Sequence, residues 1–114
     1  MKPVFINVPV QKIADWPSFH DVFQEALGFP EFYGRNMDAW IDCMSSIDSP
    51  EDGLTSVTVK SDQILVLRID DPFGFRERCP EQFKALIECS AFVNFRRAEV
   101  GETPVLALLL SGRY

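Results

Sequence analysis

The sequence predicts an α/β domain, a small three-stranded parallel sheet packed with about four helices. Three observations lead there. Short apolar runs rich in β-formers stand near the start, the middle and the end of the chain, at 4–7, 64–69 and 104–110. Between them, apolar residues recur at the spacing of one helix face. The resulting order is strand, helix, helix, strand, helix, strand. Helices between successive strands imply parallel pairing, because parallel strands need long crossovers. This reasoning leaves the order of strands within the sheet open.

Val4–Asn7 reads as the first strand. Phe19, Val22, Phe23, Ala26 and Leu27 then form the apolar stripe of a first helix. Asp15 is placed to cap it, Pro17 is tolerated in its first turn, and Gly28 can end it in a left-handed turn. Pro30 and Gly34 mark a loop over residues 29–35. Asn36 can cap a second helix, whose stripe is Met37, Trp40, Ile41 and Met44. At 100° per residue, Asp38, Asp42 and Ser45 share a different face of that helix.

Residues 48–62 are polar and turn-rich, an exposed excursion with room for an edge strand at 57–60. Ile64–Ile69 is apolar except for Arg68, the pattern of a strand buried on both faces or largely covered by helices. Pro72 and Gly74 read as a break. Pro80 opens a helix with Phe83, Leu86 and Ile87 on its apolar side. The pattern blurs near Ser90, so that helix is expected to bend or divide. Arg96 and Arg97 read as a solvated face near its C-terminal end.

The 114 residues suit a single domain spanning 1–114. A chain of this size buries roughly two thirds of its unfolded surface, enough for a core without staples. With 17 acidic and 11 basic residues, the formal net charge is −6. Phosphate backbones would repel such a chain, so direct nucleic-acid binding is not expected. An acidic surface suits a basic protein partner and would speed its approach. Cys43, Cys79 and Cys89 are odd in number and match no zinc or redox spacing, which fits reduced thiols in a cytoplasmic protein. The longest apolar run, Val105–Leu110, is too short to span a membrane, and the start is not a signal peptide.

Two features carry functional information. Asp38 and Asp42 stand one turn apart, where like charges disfavour each other by about 0.2–0.5 kcal/mol, and no basic residue at 34, 45 or 46 relieves them. Asp38 gains from the helix dipole; Asp42 gains less. The pair is either a solvated acidic face or two carboxylates prepared for cations of a partner. Beside it lie the adjacent aromatics Phe32 and Tyr33, one expected in the core and the other exposed next to the acids, as at a binding hot spot. Reading the acids as catalytic requires His20, the one histidine, to converge with Asp38 and Asp42. His20 on the first helix reads instead as a surface or boundary residue. No nucleophile–base pair, metal-ligand set or phosphate loop is legible, so neither enzymatic activity nor a cofactor or metal is expected.

The run PEFYGRNMDAWIDCM, residues 30–44, resembles the binding segment of the barstar family, intracellular inhibitors of barnase-type ribonucleases. Pro30, Glu31, Tyr33, Gly34, Asn36, Asp38, Ala39, Asp42 and Cys43 match in an ungapped register. Elsewhere the likeness rests on element order and the ending VLALLLS, with 48–62 resembling an insertion.

The resemblance implies a barstar-like fold and an inhibitor, monomeric when free, that blocks a basic ribonuclease or related toxin. It implies that Asp42 enters the nuclease's phosphate site against Arg and His residues, and that Asp38 meets further basic groups. Phe32 would pack by the catalytic histidine, with Asn36, Met37, Ala39 and Ser45 as surrounding contacts. A further acidic contact in the family falls here on Arg97, a charge reversal, or on Glu99 after a small shift. Phe32 stands in place of a tyrosine, Ile41 and Ile47 of tryptophans, and Arg35 of an acid. Those departures keep a second reading open, a barstar-like interaction module whose partner is not a nuclease.

Overall fold

A computed structural model describes residues 1–113. Its sheet has the order β1-β2-β3, with β1 at Lys2–Asn7, β2 at Gln63–Ile69 and β3 at Leu106–Leu110. Both pairings are parallel, Phe5 standing opposite Val66 and Val66 opposite Ala107. Four α-helices supply the crossovers: α1 (Trp16–Leu27) and α2 (Met37–Ser45) before β2, α3 (Pro72–Arg78) and α4 (Pro80–Glu99) after it. This is the predicted α/β architecture, and it resolves the strand order. Among the described residues, no helix is long and apolar enough to cross a membrane.

β2 is central, which explains its near-continuous apolar run. Its inward residues Leu65, Leu67 and Ile69 are fully buried, yet Ile64 and Val66 are half-buried and Arg68 is exposed. The helices therefore cover one face, and Phe5 and Leu109 remain exposed on the neighbouring strands. The expectation of a strand buried on both faces is corrected accordingly: neighbouring side chains, not a second helical layer, shelter its outer face.

α1 begins as anticipated. The Asp15 carboxylate accepts the Ser18 N–H at 2.9 Å, and the Ser18 hydroxyl accepts the Asp15 N–H at 3.0 Å. Gly28 closes it at φ 68°, where an added side chain would also strike Ser56.

Three expectations are revised. The Pro72–Gly74 break is instead the first turn of α3. Asp71 caps it through the Gly74 N–H, Pro72 needs no donor there, and Phe75 is fully buried. No strand forms at 57–60; the Ser56 and Val57 N–H groups donate to the Leu27 carbonyl, and Val59 donates to that of Ile47. The segment satisfies carbonyls left open past the ends of α1 and α2 rather than pairing with the sheet. Finally, α4 is one unbroken helix of 20 residues. Its buried stripe runs Phe83, Leu86, Ser90, Val93, Arg97, so two polar residues occupy core positions and mask the apolar period.

Candidate functional site

The loop after α1 is positioned by one inward aromatic. Tyr33 is buried against Phe29, ring centroids 4.7 Å apart, and its hydroxyl lies 2.6 Å from Nδ1 of His20. With Tyr33 turned inward, its neighbour Phe32 points out and is 76% exposed. Arg35 adopts φ 53°, an uncommon backbone for a residue with a side chain. Its guanidinium compensates by tying the loop to α1, at 2.8 Å to Asp21, 2.9 Å to the Pro17 carbonyl and 3.2 Å to Gln24. The predicted division of the aromatic pair holds. The expected surface or boundary position of His20 does not, since it is buried beneath Trp16 and beside Phe19 and Tyr33.

α2 then starts at Asn36, whose side chain accepts the Ala39 N–H at 2.8 Å. Trp40, Ile41, Cys43 and Met44 face the core, leaving Asp38 and Asp42 exposed and Met37, Ala39 and Ser45 half-buried. Phe32, Ala39 and Asp42 line one shallow depression of about 180 Å³ with Tyr33, Gly34 and Leu54. Asn36 and Met37 line another, about 300 Å³, with Trp16, His20 and Arg35. Ser45 lies in a third, about 170 Å³, with Arg96, Arg97 and Val100. Six of the seven predicted residues are thus divided among three depressions, and Asp38 lines none of the three. His20 and Asp42 line two different depressions. Burial and the Asp42 charge push the Cys43 thiol up to about 11, so it stays protonated and is a poor nucleophile. Among the described residues, no group of three or more His, Cys, Asp or Glu could hold a metal ion.

Two site residues were not anticipated. Leu54, the one aliphatic residue between 48 and 56, brings the excursion to the edge of the depression. Arg96 reaches across from α4 to stand 3.5 Å from Asp42, so the acidic pair has an internal cation after all. Local sequence spacing could not reveal it, because Arg96 is 54 positions away in the chain. Its neighbour Arg97 turns inward and is only 5% exposed. It grips Asp48 with two bonds of 3.0 and 2.8 Å, and the carbonyls of Thr103 and Ser45 at 2.7 and 3.2 Å. The solvated-face reading therefore holds for Arg96 and fails for Arg97, because Arg97 falls on the buried stripe of α4. Ile47 is also fully buried, while Glu99 is exposed.

His20 gives the site a pH signature. Burial first, and then the Arg35 charge, hold its imidazole below the ordinary 6.5, with Asp21 opposing. The unfolded chain therefore binds the proton more readily. Stability is fully present above about pH 6.5 and falls as pH drops from there toward the depressed native value. Urea unfolding at about pH 7 and about pH 5.5 is expected to show this loss, and His20→Gln to flatten it. An equal loss in the variant would assign the effect to other groups.

A family model described as Barstar (barnase inhibitor) matches residues 4–105, nearly the whole chain. None of the curated proteins compared with the chain matches it.

Proposed function

Because the chain belongs to the barstar (barnase inhibitor) family, we propose that it inhibits a barnase-type ribonuclease, or a related basic nuclease or toxin. The family's members are inhibitors rather than enzymes. The observation that carries the reading is the shared depression of Phe32 and Asp42, an exposed loop aromatic beside an exposed carboxylate of α2.

Inhibition would be steric. The Asp42 carboxylate takes the place of a substrate phosphate, where paired Arg donors can hold both oxygens. Asp38 meets neighbouring cations, and Phe32 supplies the apolar anchor. Asn36, Met37, Ala39 and Ser45 surround them, and Leu54 joins the contact. The net charge of −6 steers a basic enzyme toward this face. The chain contributes no chemistry and requires no cofactor. It would act in the cytoplasm, as a monomer until it meets the nuclease.

Titration into barnase and a panel of small basic bacterial nucleases is expected to abolish the activity of at least one, at near-equimolar inhibitor. Full activity throughout, with no heat of binding by calorimetry, would reject the proposal. The alternative, a non-nuclease partner bound through the same helix, is favoured by Arg96 at Asp42, which alters the charge offered to a purely basic site. A pull-down lost on mutation of α2 would separate the two by the identity of what is captured.

A further inference from the structure

α4 packs against α2, and its last turn carries Arg96 to the exposed face of α2. The guanidinium stands 3.5 Å from the Asp42 carboxylate and 5.9 Å from the centre of the Phe92 ring. Both charges remain wet, the side chains being 46% and 65% exposed. An ion pair this exposed contributes little to folding. Arg97 beside it anchors α4 to Asp48; Arg96 makes no comparable bonds to the core. Its effect is on the surface that a partner would meet.

We propose that Arg96 is a specificity-determining residue: it disfavours a pocket offering only cations and selects a partner that sets an acidic group against it. This rests on the reading of α2 as the partner-binding helix. A cation arriving at Asp42 finds a guanidinium already at that carboxylate. Either Arg96 is displaced from Asp42 and from the Phe92 ring, or two cations share one carboxylate as water leaves. Like charges brought together in an interface are a strong means of rejecting wrong partners. A partner carboxylate beside its cations resolves the conflict, leaving Asp38, Asp42 and Arg96 each with a counter-charge of its own. The partner surface that fits is therefore mixed in charge. The exposed rings of Phe92 and Phe95, stacked 6.3 Å apart, flank it.

The test uses purified barnase as a probe whose phosphate site is basic. Arg96→Glu is compared with Lys12→Glu, which changes net charge equally in a separate depression lined by Val22 and Glu25. Arg96→Glu is expected to bind at least about tenfold tighter than Lys12→Glu. Arg96→Ala should shift affinity in the same direction, which covers the case where the added carboxylate crowds Asp42. Equal affinity among the three variants, whether measurable or absent, overturns the proposal. Binding by the Arg96 variants but not by the unaltered chain leaves this inference standing and removes barnase as the natural target. Binding by the unaltered chain that the Arg96 variants do not improve does the reverse.

Discussion

Asp42→Ala is expected to weaken binding to the inhibited nuclease by at least about 2 kcal/mol, roughly thirtyfold, while leaving the unfolding midpoint nearly unchanged. The figure is the general threshold for a central hot spot, a range whose examples include the barnase–barstar complex; only the role of Asp42 is carried over from the family. The local reasons are independent of it. Asp42 lies in the middle of the acidic face, beside Phe32 and away from the helix N-terminus, so the fold gains little from its charge. Removing it also leaves Arg96 unopposed toward a basic partner, adding repulsion to the lost attraction. Asp38→Ala makes the useful contrast. Asp38 stands in the first turn of α2, so its loss should cost about 0.3–1 kcal/mol of stability as well as some affinity. Calorimetry on the complex and denaturant unfolding of the free proteins separate these outcomes. Unchanged affinity for Asp42→Ala would reject Asp42 as the central contact.

The parts of this site that could be read from sequence are those set by local chemistry. The Asn36 cap, the inward stripe of Trp40, Ile41 and Met44, and the outward Asp38 and Asp42 all follow from residues within about one turn of each other. The same holds for Asp15 and Gly28 at the ends of α1. What escaped depends on tertiary neighbours. Ser90 and Arg97 look like surface residues, yet both complete the stripe of α4, because Asp48 and two carbonyls supply what water would have given Arg97. His20 looked like a boundary residue because nothing nearby in sequence indicates Tyr33, thirteen positions on, as its hydrogen-bond partner. The alternation Val57–Val59 resembled an edge strand because a polar chain docking on open helix carbonyls has no sequence period of its own. The proposed binding face and the proposed kind of partner come from resemblance; the position of Arg96 on that face required the fold.

Arg97→Ala is expected to destabilise the protein by about 3 kcal/mol, because it strips a half-buried carboxylate of its partner. Asp48 retains 24% exposure of its side chain, which places the cost toward the lower end for a broken buried pair. The carbonyls of Ser45 and Thr103 also lose a donor, so the connection after α2 and the approach to β3 loosen together. Replacing both members, Arg97→Met with Asp48→Leu, should recover much of the loss, since the Asp48 charge is then gone and Glu102, 3.8 Å from Arg97, is 52% exposed and can be hydrated. Urea midpoints of the two singles and the double measure this coupling. Affinity provides the decisive contrast. Arg97 is enclosed, so its replacement should change binding only as far as the end of α2 relaxes, by less than Asp42→Ala does. Intact stability with lost binding would instead make Arg97 a contact, the role that the resemblance implies for Arg97 or, after a small shift, Glu99. The predicted inverse, large in stability and small in binding, follows from the inward turn of one arginine and the outward turn of the next: Arg97 holds the far end of α2, and Arg96 stands on the face through which that helix is proposed to bind.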